Sequence, residues 1–303
     1  MNNILESLRK SPLANRILQC VGGAESGLGK FAVKGLYKHY ELHPTEAMRK
    51  SQDFFKSNEA RINNIMNILA DEKSRSVYRS LIDFRMNMNH SIHPGMDLPQ
   101  YFLDDIIHLT NEEVFLDVGG YDGSSSVDFI KKVNYQYKSI MIFEPDLKCI
   151  EMIKQHPSMK DVVSEYDKEA PCKSPIILVP YGAWSTNTTL KFHATGDAVS
   201  QIVSDDYCDD NTISIPVVAI DSIAACNNAT YIKMDIEGAE WDALHGACNI
   251  IKECKPKLAI SIYHSDEDMI RLIEYILELV PEYKVYIRHH SVGVIDTVAY
   301  FIT

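Results

Sequence analysis

The sequence predicts an α/β protein built on a doubly wound, mostly parallel sheet, with a helical region at its N-terminus. Residues 111–303 alternate short apolar runs with amphipathic segments, and repeated strand–helix–strand units of this kind pair their strands in parallel. The last two apolar runs, residues 283–290 and 297–303, are joined by six residues, which suits an antiparallel pair. Residues 1–110 instead space their apolar residues as helices do.

The predicted elements follow one another along the C-terminal two thirds of the chain. The predicted strands cover residues 114–120, 139–145, 175–184, 231–238, 257–264, 283–290 and 297–303. The predicted helices between them cover residues 124–133, 146–156, 239–254 and 266–280. Antiparallel strands of an insertion are predicted from three short alternating segments at 189–194, 200–204 and 213–221.

The N-terminal region is predicted as a helical domain of its own, residues 1–100, followed by the sheet domain at 101–303. Its strongest helical pattern lies at 59–87. One face of that pattern holds Ile62, Ile65, Met66 and Leu69. Further helical patterns occur at 6–21 and 101–109, with a linker or cover loop at 90–99. We expect this region to cover the mouth of a pocket or to form a homo-oligomer.

The charge is concentrated in the C-terminal part of the chain. Residues 1–110 carry 14 Lys/Arg and 12 Asp/Glu and residues 111–303 carry 16 and 30, so the net charge of −12 divides into +2 and −14. An acidic body disfavours a nucleic-acid groove. The longest apolar run is about nine residues, against the ~20 that span a bilayer, and no apolar signal-peptide core follows the first methionine. The seven scattered cysteines suit reduced thiols, so we expect a cytoplasmic protein without a transmembrane segment.

A glycine-rich loop follows the first predicted strand. Gly119, Gly120 and Gly123 allow the backbone to approach a ligand closely and to turn into the next helix. A tight turn without a ligand would use the same residues. Glu144 ends the next strand, 27 residues after Asp117, where an acid can accept both hydroxyls of a ribose. The two features together favour a nucleotide site.

The loop suits one class of nucleotide better than another. A dinucleotide fingerprint that starts at Gly119 would need glycines where Tyr121 and Ser124 stand. Asp117 and Asp122 could instead face the ammonium and sulfonium charges of S-adenosylmethionine. A nicotinamide-dependent oxidoreductase on a similar sheet is therefore the alternative, and a non-catalytic binding protein on the same fold is another.

Polar residues also follow three later strands. The fourth strand is followed by Asp235, Glu237 and Glu240, although acids in the first turn of a helix also serve as caps. The fifth ends at His264, and the sixth at Arg288 and His289. Because adjacent parallel strands end at the same edge of a sheet, these residues predict a polar reaction pocket.

These segments, taken together, resemble the FkbM family of S-adenosylmethionine-dependent O-methyltransferases. The resemblance covers residues 100–303 and is carried by FLDVGGYDG (115–123), IFEPD (142–146), YIKMDIEGAEWDALHGA (231–247), LAISIYHSDED (258–268) and YIRHH (286–290). The sequence departs from the general glycine pattern at Tyr121, so we expect the loop to bulge differently there.

The resemblance implies a class I methyltransferase fold, a seven-stranded sheet with a reversed last strand, and methylation of sugar hydroxyls on bacterial polysaccharides or other glycoconjugates. It implies cofactor contacts at Asp117, Gly119 and Glu144, and active-site positions at Asp235, Glu237 and His264. Further positions near the strand ends complete the predicted sets. The other predicted cofactor-binding residues are Gly120, Tyr121, Asp122, Pro145, Asp146, Ala183 and Trp184. The other predicted catalytic residues are Arg288 and His289.

The predicted reaction needs a base, because a sugar hydroxyl is a weak nucleophile. His264 is the candidate, since an imidazole titrates near neutral pH. Asp235 would orient that histidine or position the substrate. No residue is assigned as a metal ligand. Binding of a divalent cation such as Mg²⁺ or Ca²⁺ by Asp235 and Glu237 stays an open alternative.

Overall fold

The computed structural model describes residues 46–87, 95–167, 175–193, 201–202, 212–291 and 295–303. The predicted helical pattern at 6–21 and residues 90–94 of the predicted linker at 90–99 lie outside these residues. Within the described part, no helix has both the length and the apolar character needed to span a membrane.

The described residues form twelve strands and eight α-helices. The strands are β1 (Val114–Val118), β2 (Ser139–Phe143), β3 (Val163–Glu165), β4 (Ile176–Val179), β5 (Gly182–Ala183), β6 (Thr188–His193), β7 (Gln201–Ile202), β8 (Thr212–Val218), β9 (Tyr231–Met234), β10 (Lys257–Ser261), β11 (Lys284–His289) and β12 (Thr297–Ile302). The helices are α1 (Glu46–Ser57), α2 (Glu59–Ile68), α3 (Glu72–Asn87), α4 (Ser124–Lys132), α5 (Leu147–Gln155), α6 (Glu240–His245), α7 (Cys248–Cys254) and α8 (Asp268–Leu279). Two 3₁₀ turns lie at Ile220–Ser222 and Ala224–Cys226.

The main sheet confirms the predicted fold class. Its strand order is β11-β12-β10-β9-β1-β2-β4-β3. The central strands β10, β9, β1, β2 and β4 run parallel to one another, and β12 runs antiparallel to β10. The described sheet has eight strands rather than seven, because the three-residue strand β3 joins its edge beside β4.

The central strands are buried except at the first residues of β2 and β10, as apolar parallel strands covered on both faces should be. All five residues of β1 are buried, including Asp117. The register aligns Val118 at the end of β1 with Phe143 of β2 and Met234 of β9. The carboxyl ends of these three strands therefore lie side by side at one edge of the sheet.

A second, smaller sheet contains the predicted insertion. Its order is β5-β8-β6-β7, and β6 runs antiparallel to both β7 and β8, as predicted. Phe192, Ile215 and Val217 form its small apolar core, and Trp184 and Leu190 pack against that core. This sheet adds an apolar surface beside the end of β4.

Three predicted helical segments are wrong in detail. The segment predicted at 59–87 is broken at residues 69–71 into α2 and α3. Residues 101–109 form turns rather than a helix, because the Tyr101 main chain is held by distant side chains. Its N–H donates to Tyr300 Oη at 3.1 Å, and its carbonyl accepts from Tyr231 Oη. The helix predicted at 239–254 is broken at residues 246–247 into α6 and α7.

The break between α6 and α7 has a local cause. Asp221 accepts hydrogen bonds from the main-chain N–H groups of Asn249 at 2.9 Å and Ile250 at 3.0 Å, and so caps the start of α7. A Cβ atom on Gly246 would lie 1.9 Å from the carbonyl oxygen of Trp184, so only glycine fits where the two helices meet. A cap from a distant segment therefore starts a new helix there.

The chain divides into two compact units. The described residues of the first are 46–87, 95–97, 262–274, 286–291 and 295–297, and those of the second are 98–167, 175–193, 201–202, 212–261, 275–285 and 298–303. The predicted division of the chain at residue 100 stays a prediction.

Buried ion pairs lie within the first unit. Arg288 is 2% exposed and donates to Asp71 Oδ2 at 2.7 Å and to Ser74 Oγ at 2.8 Å. Arg85 is 1% exposed and pairs with Asp266 at 3.2 Å. Removal of one partner would leave an uncompensated buried charge, which is strongly destabilising. Each pair therefore contributes to the stability of the first unit.

Candidate functional site

The second unit contains a cavity of about 260 Å³ at the carboxyl ends of β1, β2 and β9. Eight of the predicted site residues line it, namely Gly119, Gly120, Tyr121, Glu144, Pro145, Ala183, Asp235 and Glu237. The wall also includes residues that the sequence did not single out for this role, namely Gln100, Tyr101, Ser124, Ser125, Phe192, Ile215 and Lys233. A ligand site at a strand edge is the usual arrangement in a doubly wound sheet.

The glycine loop is shaped by close contact between backbones. Gly119 has φ +88°, and a Cβ atom there would lie 1.9 Å from the carbonyl oxygen of Asp235. The N–H groups of Gly119 and Gly120 both donate to the carbonyl of Phe143, at 3.0 and 3.1 Å. The loop therefore ties the ends of β1, β2 and β9 together at the wall of the cavity.

The loop accommodates Tyr121 where the usual pattern has glycine. Its backbone adopts φ +48°, a left-handed conformation that is uncommon for a residue with a side chain. Its N–H donates to Glu144 Oε2 at 2.9 Å, and this bond fixes the turn. The side chain is 38% exposed, so the ring needs no room in the interior.

Glu144 is the most informative acid in the cavity wall. Its Oε1 accepts from the N–H of Asp146 and its Oε2 from that of Tyr121, each at 2.9 Å. Each carboxylate oxygen has a second lone pair that can accept from a ligand hydroxyl. The side chain is only 7% exposed, and burial raises the pKa of this carboxyl to about 7. Such a group can accept hydrogen bonds from two hydroxyls of a ribose.

Four of the predicted cofactor residues do not line the cavity. Asp122 accepts from the N–H of Ser124 at 2.9 Å, and Asp146 caps α5 by accepting from the N–H of Lys148 at 2.8 Å. Trp184 packs against the apolar core of the small sheet. These three side chains are engaged in local structure. Asp117 is the fourth predicted cofactor residue outside the cavity wall.

Asp117 is fully buried beneath the loop. Its Oδ2 accepts from the hydroxyls of Ser125 and Ser126, each at 2.6 Å, and its Oδ1 lies 3.1 Å from Lys233 Nζ. The structure therefore gives Asp117 a positioning role, in which it anchors the start of α4 and a buried cation.

Lys233 is a residue of the wall that the sequence reasoning missed. Its side chain is 4% exposed, and its ammonium donates to the carbonyl of Gly119 and lies 5.4 Å from the ring centre of Tyr101. A lysine inside an otherwise apolar strand was the available signal, because lysine is seldom buried without a partner or a function.

Tyr101 and two acids form another part of the wall. The Tyr101 hydroxyl donates to Asp235 Oδ2 at 2.6 Å. Glu237 lines the same cavity and adopts φ +55°. Tyr101 could not be predicted to lie here, because its conformation depends on partners more than 100 residues away.

The remaining predicted catalytic residues belong to the first unit. His264 is 8% exposed, and its ring lies 4.0 Å from the ring of Tyr263, measured between centroids. His289 is fully buried, and its Nδ1 lies 3.0 Å from Thr297 Oγ1. Arg288 makes the ion pair described above. The catalytic roles of these three residues stay predictions.

Replacement of Glu144 by alanine tests the buried carboxyl itself. A folded-state pKa of about 7, against 4.5 for an exposed glutamate, means that its contribution to stability is present below pH 4.5 and is lost as the pH rises to about 7. We expect the stability of Glu144→Ala, relative to the wild type, to rise by about 2–3 kcal/mol between pH 5 and 8.

Urea unfolding of the ligand-free protein at a series of pH values measures this difference. Glu282→Ala is a matched control, because the pKa of this exposed carboxyl is lowered by its hydrogen bond to Lys255. Its difference from the wild type should stay constant above pH 5. The same constant difference for Glu144→Ala would contradict a raised pKa at Glu144.

Comparison with known proteins places the chain in a family. Residues 117–286, more than half of the chain, match the model of the methyltransferase FkbM domain. The crystal structure of the methyltransferase FkbM from Methylobacillus flagellatus KT has a TM-score of 0.68 and 26% sequence identity. The alignment covers 83% of this chain and 60% of that protein, so the chain spans less than two thirds of its length.

Other solved structures are more distant. An rRNA methylase from Streptococcus thermophilus has 11% identity and a TM-score of 0.38, over 64% of this chain and 87% of that one. A precorrin-6y C5,15-methyltransferase from Geobacter metallireducens GS-15 has 8% identity and a TM-score of 0.37, over 68% and 91%. A search of curated proteins gave no match. On the match of the FkbM domain model to more than half of its residues, the chain belongs to the methyltransferase FkbM domain family.

Proposed function

We propose that this protein is an S-adenosylmethionine-dependent O-methyltransferase that acts on a sugar hydroxyl of a bacterial-type glycan or glycoconjugate. The observation that carries the proposal is the buried Glu144 carboxylate, held by two main-chain N–H groups in the wall of a cavity beside the glycine loop. Membership of the FkbM family supports the reaction, and the resemblance of the sequence to this family supports the sugar acceptor.

The residues of the cavity fit the parts of this cofactor. Glu144 can accept the two ribose hydroxyls. Beside it, Pro145, Ala183, Phe192 and Ile215 offer an apolar wall suited to a purine base. The carboxylates of Asp235 and Glu237 can interact with an ammonium group. No comparable set of glycines is present for a pyrophosphate, which disfavours a dinucleotide.

S-adenosylmethionine, when bound, supplies an electrophilic methyl group on a sulfonium. The chain has to orient the acceptor hydroxyl and remove its proton. We propose His264 as the base that takes this proton and Asp235 as a residue that positions the acceptor. Tyr101 donates to Asp235 and so holds its carboxylate in one orientation.

Direct binding tests the proposal most simply. Isothermal titration calorimetry with S-adenosylhomocysteine should show saturable binding, and NAD should show none. Incubation with methyl-labelled S-adenosylmethionine and bacterial polysaccharides, with and without EDTA, then tests the transfer and any need for a divalent cation at Asp235 and Glu237. Binding of NAD in place of S-adenosylhomocysteine would refute the proposal.

The Glu144→Ala variant should bind S-adenosylhomocysteine about 5- to 150-fold more weakly, which corresponds to the loss of about 1–3 kcal/mol of charge-assisted hydrogen bonding. Because the pKa of Glu144 is about 7, the affinity of the wild type should also fall as the pH is lowered from 8 to 6, while that of the variant should not. Calorimetry at both pH values measures the effect. Glu151→Ala, on the exposed surface of α5, is the control, and equal affinities of Glu144→Ala and this control would argue against the ribose contact.

A further inference from the structure

Lys233 combines two properties that a purely structural lysine does not need. Its side chain is 4% exposed, yet it belongs to the wall of the cavity. Its ammonium donates to the carbonyl of Gly119 and lies 3.1 Å from Asp117 Oδ1. An ammonium has three N–H donors, so it can also serve a ligand oxygen while it keeps these two acceptors.

A second lysine on the neighbouring strand provides a comparison. Lys257 lies at the start of β10 and pairs with the buried carboxyl of Glu113 at 3.0 Å. It does not belong to the residues that line the cavity in the described structure. A lysine of this sheet can therefore neutralise a buried acid without reaching the cavity. Lys233 both pairs with a buried acid and lines the cavity.

A helix N-terminus contributes to the same cavity wall as Lys233. Ser124 and Ser125, in the first turn of α4, line the same cavity, and the N-terminus of a helix attracts negative charge. Two serine hydroxyls donate to Oδ2 of Asp117, so this carboxylate has hydrogen-bond donors besides Lys233. A ligand carboxylate in this corner would find a cation and a helix N-terminus together.

We propose that Lys233 binds the α-carboxylate of the amino-acid part of the cofactor and thereby distinguishes it from ligands without a carboxylate. The inference rests on the proposed function, because it takes S-adenosylmethionine as the ligand. In this arrangement Glu144 holds the ribose and Lys233 holds the carboxylate, and both residues line the same cavity. The hydrogen bond from Lys233 to the carbonyl of Gly119 fixes the ammonium beside the loop for this purpose.

Four binding measurements test the proposal without any methyl transfer. The wild type and Lys233→Met are each titrated with S-adenosylhomocysteine and with its decarboxylated analogue, which keeps the amine. The wild type should prefer the carboxylate-bearing ligand by about 10- to 100-fold, as expected for a charge-assisted hydrogen bond. Lys233→Met should bind both ligands equally, and should bind the analogue as well as the wild type does.

Lys257→Met is the matched control and should keep the preference of the wild type. A preference that persists in Lys233→Met would overturn the proposal, as would equal affinities of the wild type for the two ligands. If Lys233→Met does not fold, Lys233→Arg is used in its place. This variant keeps a cation and should keep the preference for the carboxylate-bearing ligand. Loss of that preference in Lys233→Arg would contradict the proposal. Failure of the wild type to bind either ligand would instead refute the proposed function.

Discussion

The Gly119→Ala variant is expected to lose about 2–4 kcal/mol of stability and all measurable binding of S-adenosylhomocysteine. The residue has φ +88°, and the added Cβ atom would lie 1.9 Å from the carbonyl oxygen of Asp235. That neighbour is backbone at the end of a central strand, so it cannot move aside as a flexible side chain could. Relief of the contact would separate β1 from β9 where the cavity is formed.

Gly95→Ala separates the two causes of this effect. Gly95 has nearly the same backbone conformation, with φ +86°, but no described atom lies within 4 Å of the position of an added Cβ. Its replacement should cost only the strain of the left-handed conformation, about 1–2 kcal/mol, and should leave ligand affinity unchanged. Urea unfolding and calorimetry on both variants measure the difference. Equal losses in the two variants would show that strain alone, rather than the approach of the two backbones, requires glycine at 119.

The order of the predicted strands was sufficient to place three of the predicted residues in the wall of one cavity. Gly119, Glu144 and Asp235 each follow a buried apolar run, and parallel strands in register bring their carboxyl ends to one edge. This argument depends only on the order and direction of the strands. It needs no knowledge of side-chain contacts, which a sequence does not supply.

The same argument could not decide what each acid does. Asp117, Asp146 and Glu144 all lie at strand ends, but only Glu144 lines the cavity. Asp117 accepts from two hydroxyls of α4, and the Asp146 side chain accepts from the main-chain N–H of Lys148 in α5. The path of the loop over one or two residues decides whether a carboxylate contacts a ligand or caps a helix. A pattern of apolar runs does not contain this information.

One contact could have been found from the sequence and was not. Asp117 and Lys233 are partners in the register of β1 and β9, and side chains at paired positions lie on the same face of a sheet. Opposite charges at paired positions of two buried strands therefore predict a buried ion pair. Tyr101 offered no such signal, because its position depends on tertiary contacts of its main chain with Tyr231 and Tyr300.

The His264→Ala variant should turn over about 10²–10⁴-fold more slowly while its affinity for S-adenosylhomocysteine stays nearly unchanged. The reason is chemical, since the acceptor hydroxyl must lose a proton and a sulfonium cannot take it. Asp235→Asn should also lower turnover, because it weakens the acceptor of the Tyr101 hydroxyl that keeps this side chain in place. It should also abolish any dependence on a divalent cation.

A structural role for His264 predicts a different result, because the residue is buried against Tyr263. The melting temperature and the single-turnover rate of the same His264→Ala sample distinguish the two roles. His245→Ala is the control: it removes an imidazole that stacks on Tyr275, with centroids 4.2 Å apart, and should lower the melting temperature but not the rate. If His264→Ala behaves like this control, with a large drop in melting temperature and a near-normal rate, another group must take the proton, and Asp235 and Glu237 are the acids of the cavity wall that remain to be tested.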